Sequence, residues 1–209
     1  MAVMNRRTTK IVGTLAILGL ALPLLAVDRN QPQISSAKLQ SPKIEHLASF
    51  MSALRGCEKC SASHTPAGDS LVKLGKPAAS PITRRLEGTT KWWIRTECVH
   101  LLGLIGPDAK HELPALEAEL AKIRHPIPSR YGRLAVLAIR QDVAGLAAAL
   151  DERQSPISAF ALELLGRMGP RAKAALPALQ TYLQKHPAGD RYHPLAVEVI
   201  ERIDSLENR

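Results

Sequence analysis

Cys57-Glu-Lys-Cys60, with His64 four residues further on, is the grouping in this chain whose spacing suits a metal or a redox pair. Two thiolates and an imidazole at that spacing supply three of the four ligands of a tetrahedral zinc site. The same two thiols, with one pKa lowered, are the layout of a redox couple. In an oxidising compartment they close a small structural disulfide, and that reading suits Cys57 and Cys60 best. A thioredoxin-like motif sits between a strand and a helix, whereas this one lies in a loop between Gly56 and Gly68. Haem attachment needs a histidine directly after the second cysteine, where this chain has Ser61. The third cysteine, Cys98, falls on an apolar helical stripe and reads as a small core residue.

No Ser/His/Asp grouping, Gly-rich phosphate loop or paired zinc motif is written in the chain. It therefore reads as non-catalytic, with no metal and no cofactor. What is left to do chemistry is surface. Trp92-Trp93 are the only tryptophans. Neighbours on a helix cannot both face the core, so one is expected to pack and the other to stand out as a binding anchor or to cover a seam. Arg84, Arg85, Lys91 and Arg95 gather around one helix junction, and Arg124, Arg130, Arg133 and Arg140 around the next. The formal charge is +9, or +6 without Arg6, Arg7 and Lys10. A basic stripe of this kind favours an acidic partner. Nucleic acid is the weaker candidate, because single-strand stacking aromatics are missing.

The elements that must position these residues are announced by a duplication. Cys98–Leu120 returns as Ala161–Leu183, 63 residues on, without a gap and with about half the positions identical. Self-similarity at a fixed spacing marks a repeat architecture, in which each unit buries its apolar face on its neighbours. Each copy reads as helix, Gly-Pro turn, helix. Phe160, Leu162, Leu164, Leu165 and Met168 form the stripe of the first helix, and Leu176, Leu179 and Leu183 that of the second. Gly169-Pro170 ends one helix and starts the next. Pro114 and Pro177 are expected inside the second helices, where a proline marks a start or a bend.

A spacing of 63 suits two helix pairs, giving a period of about 31 to 32 residues. Worn copies fit it. Leu71–Ile82 places Gly75 against Gly106, while Arg133–Arg140 and Val143–Leu150 read as a shorter pair without the Gly-Pro turn. Pro194–Leu206 carries Leu195, Val199, Ile203 and Leu206 on one face and reads as a polar-backed cap. The composition, 45% hydrophobic with only 3% aromatic, suits packed helices and not a sheet.

Leu-Gly-x-x-Gly-Pro-x-Ala followed by Leu-Pro-Ala-Leu, at Leu102–Leu116 and again at Leu165–Leu179, resembles the short bacterial variety of the HEAT and HEAT-like repeats. Ile94-Arg95 matches that family's hydrophobic-Arg pair, and Ile157-Ser158 departs from it. The resemblance covers about residues 69 to 204. It implies an all-α, right-handed α-solenoid of stacked helix pairs, about four to five repeats, and leaves function open. Some HEAT-repeat enzymes hold a di-iron centre through repeated His-Glu dipeptides. This chain has one, His111-Glu112, and its counterpart is Ala174-Ala175, so the pair reads as a solvated helix face.

Ahead of the repeats, Arg6, Arg7 and Lys10 precede a charge-free apolar run over 11–27. This reads as a signal peptide at 1–27, cleaved after Ala26, or as an uncleaved N-terminal membrane anchor. Both put the body outside the cytoplasmic membrane, periplasmic or extracellular, with membrane contact expected only through an uncleaved segment. Residues 28–41 read as a polar tether, 42–68 as an N-terminal helix with the Cys57/Cys60 loop, and 69–209 as the repeat domain with its capping helix. The expectation is an exported, non-catalytic scaffold that binds an acidic protein partner. The contacts expected are Trp92, Trp93, Arg95, Arg84, Arg85, Arg130 and Arg133.

Overall fold

The computed structural model describes residues 65–151 and 156–205. The segments read above as a signal or anchor, a tether and the Cys57/Cys60/His64 loop lie outside the described residues, as does Leu206. Over the described residues the chain is all-helical, without a strand.

Among the described residues nine α-helices follow one another: α1 Pro66–Leu74, α2 Lys76–Glu87, α3 Trp92–Ile105, α4 Leu113–Lys122, α5 Pro126–Arg140, α6 Val143–Ala148, α7 Pro156–Met168, α8 Leu176–Lys185 and α9 His193–Asp204. Most begin on a proline in the first turn, where its missing N–H removes a group that has no helical partner anyway. Odd-numbered helices pack on one another in chain order: α3 meets α1 and α5, α5 meets α7, and α7 meets α9. The even-numbered helices lie against them, with α2 on α3, α4 on α5, α6 on α5 and α7, and α8 on α9.

Gly75, Gly106 and Gly169 stand at equivalent positions of the repeat and all have positive φ, at 63°, 64° and 55°. At Gly75 and Gly106 ψ is −128° and −133°, a region that a Cβ excludes. The glycines therefore end their helices by backbone conformation. The copy between them lacks this glycine and turns instead at Gln141, φ 60°, whose side chain donates to the Ala138 carbonyl at 2.8 Å.

Two readings of the sequence are corrected. The Gly-Pro turn does not lead straight into the second helix, because a seven-residue 3-10 segment intervenes at Gly106–Glu112 and again at Gly169–Ala175. Pro114 and Pro177 therefore occupy the first turn of α4 and α8, where they cost no hydrogen bond. The middle copy's first helix also begins at Pro126 and not at Arg133, because His125 caps it with its own ring nitrogen.

The apolar stripes form two clusters. One joins Leu71, Ile82, Leu86, Val99, Leu102 and Leu116 to Ile139 of α5. The other runs from Leu104 and Leu134 through Phe160, Leu164 and Leu179 to Val199 and Ile203. Tyr131 packs against both. Each fully buried leucine contributes about 1.5–3 kcal/mol through area removed from water, so these stripes dominate the stability of the helical body. Cys98 is completely buried among them as a free thiol, and burial pushes that thiol up to about 12.

Candidate interaction surface

Trp92 and Trp93 open α3, and both stand out from the surface at 41% and 48% exposure. This corrects the expectation that one of them packs. Both lie in the first turn of α3, and its continuous buried run begins only at Cys98, so neither direction around the helix leads onto the core.

Their surroundings are built by the start of α5. His125 caps that helix by accepting the Ile127 N–H on Nδ1 at 3.3 Å, which leaves the proton of the neutral ring on Nε2. Its ring lies parallel to Trp92, 4.7 Å between centroids and 5° between planes. Trp93 meets Trp92 at 89°, with centroids 6.0 Å apart. Lys91 Nζ sits 5.2 Å from the Trp93 centroid, in reach of a cation–π attraction. Ile127, in the first turn of α5, is 40% exposed. Trp92, Trp93 and Ile127 are thus gathered where α3 and α5 begin, and they are the exposed large hydrophobic residues among those described. Sequence reasoning missed His125; the signal was the His125-Pro126 pair at a helix start.

The arginines divide. Arg95 is half-buried, and its Nε donates to the Thr89 carbonyl at 2.8 Å, so it braces the loop between α2 and α3. Arg84 and Arg85 are in the last turn of α2, where cations suit the helix dipole; Arg84 is exposed and Arg85 is half-buried, its charge acting on Cys98. Arg130 and Arg133 are exposed on the outer side of α5. The opposite face of α5 is filled by Leu134, Ala135, Ala138 and Ile139. Arg140 closes that stripe and is neutralised by Glu117 of α4 at 2.5 Å.

His111 and Glu112 touch each other at 3.2 Å and both meet Ser80, which lies 31 and 32 residues earlier. The dipeptide therefore ties two successive repeats together. Among the described residues no three His, Cys, Asp or Glu side chains converge as metal ligands, and no helix is long and apolar enough to cross a membrane.

A second polar group is internal. His100 of α3 is 5% exposed, with Phe160 and Tyr131 edge-on to its ring at 4.1 Å and 5.6 Å, and its Nε2 lies 3.6 Å from Glu163 Oε2. Burial pushes the Tyr131 hydroxyl up to about 12, and the charges of Glu97 and Glu163 act in the same direction. Near the C-terminus His186 Nδ1 and Asp190 Oδ2 are 2.9 Å apart, and hydrogen bonds from the Tyr192 N–H and from His186 hold the Asp190 carboxyl below its usual range.

Compared with known proteins, the chain matches no family model, no curated protein and no solved structure.

Proposed function

We propose that this chain is an exported, non-catalytic repeat protein of the HEAT-like kind, a right-handed α-solenoid that serves as a protein–protein interaction scaffold. The solenoid reading is supported by the chain-order packing of alternate helices and by contacts between equivalent repeat positions, Ser80 to His111 and His100 to Glu163. The partner is a protein with an acidic surface.

The observation that carries the binding role is the outer face of α5. This helix is clasped by α3 and α7 and still presents Arg130 and Arg133 to solvent. Two charges on a rigid, central helix form a fixed pattern that an acidic surface can match, and such complementarity steers encounter and register. Arg84 adds charge at the end of α2, while Arg95 is already engaged by Thr89 and contributes less.

The test is a pull-down from the envelope fraction of the source cell, at low and high salt, with the wild type beside Arg130→Glu/Arg133→Glu. The expected result is a discrete protein held by the wild type at low salt, released at high salt, and lost by the variant. Retention of nucleic acid or another polyanion in its place would overturn the protein-partner reading.

A further inference from the structure

We propose that the surface formed by Trp92, Trp93, His125 and Ile127 docks on an anionic lipid surface, holding the helical body against a bilayer independently of residues 11–27. This site is distinct from the arginine face of α5, and it adds a membrane contact to the one expected of the N-terminal segment.

The side chains have the composition that an interface between water and lipid selects. Tryptophan combines a large apolar ring with an N–H that prefers water, so it settles at the headgroup level. Here two tryptophans and an isoleucine are exposed together, each in the first turn of its helix, and the Trp92–His125 stack fixes the two helix starts to one another. A groove for a protein ligand would enclose such rings. These three are each about half exposed at neighbouring helix starts, and a deformable bilayer surface can receive them without a preformed pocket.

The charges around them favour an anionic surface. Lys91 immediately precedes α3 and Arg124 immediately precedes His125, and both are exposed. The positive end of a helix disfavours a cation at that point, so the helix dipole does not account for either position. An anionic leaflet attracts each such residue strongly enough to matter. Glu87 and Glu97 are the acidic residues nearest the tryptophans in sequence. Cation and aromatic are also joined directly, with Lys91 over Trp93.

Because Trp92 and Trp93 are the only tryptophans, their emission reports on this surface alone, whatever the rest of the full chain does. The experiment titrates the full-length protein with phosphatidylcholine vesicles, with and without phosphatidylglycerol, and with brominated lipid as a quencher. The expected result is a blue shift and quenching with the anionic vesicles, both suppressed by high salt. Lys91→Glu/Arg124→Glu should weaken the emission titration by about tenfold or more, with helical circular dichroism unchanged. Trp92→Ala, with Trp93 as sole reporter, should still be quenched but bind more weakly. Vesicles that co-sediment the protein without quenching would show that another segment holds the lipid, and would overturn the proposal. Equal quenching on neutral vesicles would overturn its electrostatic half, and an emission shift produced only by the protein partner would replace the bilayer with that partner. Loss of the partner in Arg130→Glu/Arg133→Glu is a separate readout, so either reading can fail alone.

Discussion

His100 and Glu163 occupy the same position in the two copies of the duplicated unit, 63 residues apart, and they face each other at 3.6 Å. The contact joins α3 to α7, beside the intervening α5. Glu163 also lies 3.9 Å from Arg167, so its charge is shared between a buried imidazole and a surface guanidinium. A position that diverged between copies has thus become complementary across them.

A double-mutant cycle with His100→Ala and Glu163→Ala should show a coupling of about 0.5–1.5 kcal/mol in urea unfolding, because the two residues share one polar contact inside an aromatic surround. His100→Ala alone should be the worse single change, since it also strips packing from Phe160 and Tyr131. Strict additivity would mean that the pair only abuts.

Three glycines separate two causes of strain. A Cβ on Gly103 would come within 2.9 Å of the Phe160 ring and 3.1 Å of the Ala135 backbone, so Gly103→Ala should cost about 1–3 kcal/mol by forcing α3 and α5 apart. Gly106 has open space around its missing Cβ but a φ of +64°, so Gly106→Ala should cost about as much through the backbone alone. Gly189 has neither constraint, and Gly189→Ala should be neutral or slightly stabilising. Thermal melts of the three variants check the ordering.

Alkaline pH should weaken the fold through Tyr131 and Cys98. Both groups are raised to about 12 in the folded state, from ordinary values of 10.0 and 9.0. The unfolded chain therefore releases these protons first. Their contribution is intact below about pH 9 and is lost as pH rises toward 12. Tyr131→Phe should flatten the decline of the unfolding midpoint between about pH 10 and 12, and Cys98→Ala its earlier part. The same burial predicts that Cys98 resists thiol reagents until the protein is unfolded.

His125→Ala should destabilise the protein by about 1 kcal/mol, since it removes both the acceptor that caps α5 and the ring stacked on Trp92. His125→Asn restores a capping side chain without the full ring, and its recovery in a urea titration measures the cap alone.

The helices were legible because their causes are local. The stripe from Phe160 to Met168 and the glycines at 75, 106 and 169 speak through period and backbone freedom, and the structure uses each as read. Tyr182 was missed on α8, where it is 2% exposed, because a stripe of leucines conceals the extra buried position between Leu179 and Leu183. The 3-10 segments were missed because Gly-Pro-x-Ala specifies a turn and leaves open how tightly the following seven residues wind. On the surface side, the exposure of Trp92, Trp93, Arg130 and Arg133 depends on which helix covers which, and a one-dimensional pattern does not carry that.

Residue type and spacing along single elements were enough to show the 63-residue duplication, the helical character and most of the apolar faces, while helix starts such as Pro126 were misplaced. Only the tertiary structure decided which residues meet across elements. It brought His125 onto Trp92, set Glu163 against His100, turned Arg95 inward to Thr89 and left both tryptophans in solvent. Helix packing fixes distances between residues tens of positions apart, and whether a side chain is covered or paired depends on which neighbour arrives there.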